Sequence, residues 1–234
     1  MAGSRVPRRG RDTDALTALS DDARPDFLEL DRDSARLPEK PAAADAAPAR
    51  FAGFLPQTIG HLGEVEWIEK TTAHGPNRGF DVFYLRAPAG EVGSAVTNGL
   101  RFQNVTAVLP QELCCTLLAE QEEAAHRIVV QAAEMVRDGG RGLGPEAIVA
   151  GDRPLAAGSA TVGVVCAEHP FLDEDFNVVR DPDGRIEMQI ITLIPATTAE
   201  IALARARGVP ELFDLWEEQE TDLADLARPC AVEP

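Results

Sequence analysis

The stretch Ile186–Ile201 (IEMQIITLIPATTAEI) constrains the fold most. Its branched apolar run reads as a buried strand, expected to stop at Pro195, which has no N–H for a β-ladder. Thr197, with Glu200 three residues on, is a capping box: hydroxyl and carboxylate each satisfy one free backbone N–H at a helix start. That helix is expected to end at Gly208. Pro210 then suits the first turn of another, reaching Gln219. Upstream, Asp181-Pro182-Asp183-Gly184 is a turn feeding the strand.

Periodicity orders the rest. Phe51, Phe54, Leu55, Ile59 and Leu62 recur at helical spacing over 50–62. Residues 64–69 alternate as a strand, 71–79 are rich in chain breakers, 80–86 read as the cleanest early strand, and a loop over 87–93 leads to the segment 94–98. A strand at 112–118 leads into an amphipathic helix over 120–137, whose stripe is Ala125, Ile128, Val129, Ala132, Met135 and Val136. Glycines 139, 140, 142 and 144 follow that helix. A phosphate loop would precede one, so they read as a helix stop. Residues 161–166 form an apolar strand, 168–175 a loop, and 222–226 a short helical turn. Strands and helices without regular alternation predict an α+β class, a mixed or antiparallel sheet packed with amphipathic helices.

Residues 1–50, rich in Pro, Ala, Asp and Arg, predict a disordered leader; 51–228 form the domain and 229–234 a tail. The whole chain carries 22 basic and 39 acidic residues, net −17; 1–50 hold 9 and 10, leaving 13 and 29, or −16, on the rest. Such a surface argues against nucleic acid, which needs Lys and Arg against its phosphates. It suits a basic protein partner. No apolar run approaches the roughly 18 residues of a bilayer span. Arg5, Arg8, Arg9 and Arg11 have no apolar segment behind them, so a cytoplasmic location is expected. Cys114, Cys115, Cys166 and Cys230 make no C-x-x-C pair, and neighbouring strand residues such as Cys114 and Cys115 face opposite ways.

The order of these elements resembles the suppressor of fused-like domain. The sharpest piece is Leu193-Ile194-Pro195-x-Thr197-x-x-Glu200, supported by Thr97-x-Gly99-Leu100, Glu112-Leu113, the break at Gly208 and the helix Leu212–Trp216. The resemblance spans roughly 51–228. It implies an α+β domain that works by protein binding, with no catalytic residues to carry over and no cofactor. The animal member restrains a transcription factor, clamping an extended peptide between this domain and a second lobe, which this chain is expected to lack. Bacterial-type single-domain relatives imply an immunity protein that sequesters a toxin, here a basic toxin domain.

Candidate site residues remain sparse. Two acidic stretches are partner-binding candidates: Glu217, Glu218, Glu220, Asp222 and Asp225, and the loop residues Glu168, Asp173, Glu174 and Asp175. His169 in that loop, with Asp173 or Asp175, is the rival reading, a hydrolase or metal-dependent enzyme. Transition-metal sites usually need a second nitrogen or sulfur ligand, and His61, His74 and His126 sit on other elements, so no metal is expected and the loop reads as solvated. Ser94 and Ser159 lack a nucleophile elbow. Glu112 is expected to be half-buried, paired with Arg101 or Arg185, and Trp67 and Trp216 to be core aromatics.

Overall fold

A computed structural model describes residues 50–71 and 78–232; the expected leader, Arg50 apart, and His74 lie outside them. In chain order the described elements are α1 (Phe54–Leu62), β1 (Glu64–Lys70), β2 (Asp81–Arg86), β3 (Val92–Asn98), β4 (Gln111–Leu118) and α2 (Glu122–Gly139). There follow β5 (Ile148–Ala150), β6 (Thr161–Ala167), β7 (Val178–Arg180), β8 (Ile186–Thr197), α3 (Thr198–Arg207) and α4 (Val209–Glu218).

The strands form one mixed sheet in the order β1-β2-β3-β4-β8-β6-β5, with β7 also pairing with β8. Among these described strands only the β4–β8 pair is parallel. The expected α+β class is the observed one. Alternation sorts the side chains onto two faces. Leu113, Cys115 and Leu117 of β4 bury against Ala125, Ile128, Val129, Ala132 and Val136 of α2. The opposite face carries two apolar clusters. Phe54 of α1 packs there with Cys114, Phe176, Val179, Met188 and Ile190. Farther along, Ile201, Leu212 and Trp216 of α3 and α4 cover Val165, Ile194 and Ala196. Each large apolar side chain buried this way contributes about 1.5–3 kcal/mol.

The capping box forms: the Thr197 hydroxyl accepts from the Glu200 N–H at 3.3 Å, and Glu200 accepts from the Thr197 N–H at 2.8 Å. Pro195 departs from expectation. The strand continues through it to Thr197, with Pro195 opposite Val164 of β6. Pairing with β4 has already ended at Thr192, so no ladder needs the missing N–H; the Pro195 carbonyl accepts instead from Arg228 at 3.0 Å. β5 was not anticipated, and residues 222–226 make two successive turns rather than a helix. The chain after α4 is bound into the fold: Leu223, Ala224, Leu226 and Ala231 are buried. Gln121 ties Asp225 and Leu226 to the start of α2.

Candidate partner-binding surface

Ionised groups buried away from water need partners, and the buried carboxylates here have them. Glu112 of β4 is fully buried, not half-buried, and its partner is Arg101 at 2.5 Å; Arg185 is exposed and pairs loosely with Asp183. The carboxylate also accepts from the Thr97 hydroxyl at 2.5 Å and from the N–H groups of Gly99, Leu100 and Arg101. Burial pushes the Glu112 carboxyl above its ordinary range, while Arg101, Thr97 and those amides pull it back. The Arg101 guanidinium lies 4.4 and 4.5 Å from the ring centres of Phe102 and Phe54. Every polar contact of Glu112 goes to this corner of the fold, which gives it a structural role.

His169 does not stand in a solvated loop. Only 5% of it is exposed. Nδ1 accepts from the Phe171 N–H at 3.3 Å, so the proton belongs on Nε2, which lies 2.8 Å from the Thr116 hydroxyl. Thr116 in turn meets the Ser94 hydroxyl at 2.6 Å. Burial, with the charge of His61 adding to it, lowers the His169 pKa to about 4, so the ring is neutral at pH 7. Glu168, Asp173, Glu174 and Asp175 point to solvent and none bonds to the ring. Nε2 thus anchors the loop to β4, while Nδ1 holds the loop's own Phe171 N–H, so both ring nitrogens are engaged in structure. Among the described residues no group of three or more His, Cys, Asp or Glu is placed to hold a metal ion.

A second buried ion pair went unread in the sequence. Glu200 accepts from Arg228 at 2.7 and 2.9 Å and from the Ala231 N–H at 3.0 Å, in addition to its capping bond. Burial pushes its carboxyl up, but the Arg228 guanidinium and the Ala231 and Thr197 amides outweigh it and hold the group below its usual range. One carboxylate therefore caps α3 and clasps the end of the chain.

The acidic candidates stay apart, one set on the loop after β6 and the other at the end of α4. Glu217, Glu218 and Glu220 are exposed. Asp222 and Asp225 spend an oxygen on the Ala224 and Ala227 N–H groups of their own turns.

The two edges of the sheet differ in kind. β1 is guarded: Glu64, Glu66, Glu69 and Lys70 are exposed on it, and a register shift falls between Val65 and Trp67. Trp67 is half-buried rather than core, stacked on Tyr84 at 5.3 Å with its indole N–H on Glu122. β5 is short and uncharged. The Gly151 N–H bonds to the Val162 carbonyl and the Cys166 N–H to the Ala147 carbonyl, so odd residues face β6. The N–H and C=O groups of Ile148 and Ala150 therefore point outward from the edge.

Beside that edge lies a groove of about 470 Å³. α2 packs mainly on β2, β3 and β4, and its cover thins toward the edge: Val164 and Cys166 of β6 are still buried, whereas Val149 and Val162 are only half-buried and Ala150 is exposed. Ile128, Ala132, Met135, Val149, Val162 and Val164 line the gap. Met135, read in sequence as part of the core stripe, is 44% exposed because its side of α2 meets the groove instead of the sheet. Arg127 reaches across to the Leu155 carbonyl at 2.7 Å.

The fold is shared with solved proteins. A putative suppressor of fused homologue from Neisseria gonorrhoeae aligns at 16% identity and TM-score 0.60, covering 79% of this chain and 98% of that one. A structure of the Sufu–Fu complex aligns at 10% identity and TM-score 0.54, covering 76% and 89%. No curated protein matches the chain. Residues 61–229 match the family model of the suppressor of fused protein (SUFU), most of the chain, and the protein belongs to that family.

Proposed function

We propose that the chain is a non-catalytic domain that binds and sequesters a protein partner. The family match over residues 61–229 carries this reading. The Sufu of the Sufu–Fu complex, which shares the fold, is itself held against a partner. The β5 edge is the surface best suited to an extended partner segment: it offers outward backbone donors and acceptors, lacks the charges that guard β1, and adjoins an apolar groove. The −16 balance beyond residue 50 favours a basic partner, with Glu168, Asp173, Glu174 and Asp175 and the Glu217–Asp225 stretch supplying the field. A basic toxin domain, with this chain as its immunity protein, is the partner we propose. The engagement of both His169 nitrogens with Thr116 and Phe171 weighs against the hydrolase alternative with Asp173 or Asp175.

The test is co-expression of the chain with the product of an adjacent toxin-like gene, followed by affinity capture at 50 and 300 mM salt. A basic partner retained at low salt and lost by Ala150→Pro is expected, because proline there removes an outward N–H without touching the β6 ladder. Retention that ignores both salt and Ala150→Pro contradicts the proposed surface, and toxicity unrelieved by the chain contradicts the immunity role.

A further inference from the structure

The groove beside β5 has a chemistry of its own, unlike the rest of the domain. Its floor is aliphatic, and its walls carry two guanidiniums, Arg127 and Arg153, against the single carboxylate of Asp152. The surrounding chain, by contrast, is acidic by 29 to 13. Of the five N–H donors on a guanidinium, Arg127 gives one hydrogen bond, to the Leu155 carbonyl. The Arg153 side chain is 90% exposed, and its ion pair with Asp152 is loose at 3.8 Å. Guanidinium donors at the rim of an apolar floor fit a carboxylate flanked by hydrophobic side chains. A lysine or arginine in the same place would face two like charges.

We infer that the groove selects, within the partner's extended segment, an acidic residue next to a bulky apolar one. The apolar side chain rests on Ile128, Ala132 and Met135, where the thioether adapts to its shape. The carboxylate takes charge-assisted bonds from Arg127 and Arg153. A partner that is basic overall is steered by the acidic surface and fixed in register by this local exception. The inference rests on the proposed docking of a segment at the β5 edge.

Random dodecapeptides displayed on phage and selected on the full chain supply the probe. The winners are synthesised and titrated by fluorescence anisotropy. They are expected to carry an Asp or Glu adjoining Leu, Ile, Val or Phe. Arg127→Gln with Arg153→Gln should weaken them by about tenfold or more, since the charge-assisted bonds from both guanidiniums are lost. Replacing the peptide's acid by its amide should cost the same on the unaltered chain and nothing further on the double variant. Arg153→Gln alone, at a side chain with no part in the fold, guards against damage caused by moving Arg127. Peptides rich in Lys and Arg, or affinities indifferent to the double variant, overturn the inference while leaving the edge reading intact. Binding that survives Ala150→Pro, or no selected peptide at all, overturns the edge reading and this inference with it.

Discussion

Acid should loosen this fold through His169. The ring is neutral and buried, with a folded pKa of about 4 against the ordinary 6.5. Between those values the unfolded chain binds a proton that the folded chain refuses. Stability from this group is therefore complete above pH 6.5, falls as pH drops toward 4, and is flat below. A gap of 2.5 units corresponds to about 3 kcal/mol, a large part of a small domain's stability. His169→Asn removes the titration along with the bonds to Thr116 and Phe171. Urea unfolding at pH 7.5, 6.5, 5.5 and 4.5 measures both proteins. At pH 7.5 the variant should be the weaker by about 1–3 kcal/mol, the usual cost of lost buried hydrogen bonds. By pH 4.5 that deficit should close or reverse, since only the unaltered protein loses stability through this histidine. Titration of Glu200 and other shared groups cancels in the difference. A deficit constant across the range refutes the reasoning.

Two other perturbations probe the parts that hold the proposed surface in place. A Cβ on Gly163 would stand 2.5 Å from the Val149 carbonyl and 2.8 Å from the Ala150 Cα, so Gly163→Ala should push β5 off β6, cost about 1–3 kcal/mol and speed amide exchange at Val149 and Gly151, whose N–H groups face β6, before the rest of the sheet. Arg228→Ala leaves Glu200 buried without its cation and should destabilise by about 3–5 kcal/mol in thermal or urea melts. Because Glu200 is held below its usual range, the stability its carboxylate gives is present above its unfolded pKa and lost as pH falls through the folded one; the variant should flatten that acid limb.

Local chemistry was the legible part of this chain. The capping box at Thr197 and Glu200 and the turn at Asp181–Gly184 need only neighbours in sequence, and both form. The α2 stripe was readable too, except at Met135, whose exposure depends on how far the sheet extends beneath the helix. Pro195 was misjudged because tolerance of its missing N–H depends on the pairing of β8 with β4 having ended at Thr192, a fact of topology. His169 looked solvated because four carboxylates surround it in sequence, yet Thr116, 53 residues away, takes its ring inward. The Arg228 clasp on Glu200 is equally non-local. The β5 edge stayed unread for two reasons: three residues are too few for periodicity to show, and nothing local marks a strand as the last in its sheet.

The central claim, partner binding at the β5 edge, is tested most directly by a photo-crosslinking residue placed at Ala150 and, separately, at Ile68 on the guarded β1 edge. With the co-expressed partner present, illumination should join it to position 150 and leave position 68 free. Crosslinking at 68 but not at 150, or equal labelling of both, would contradict the account.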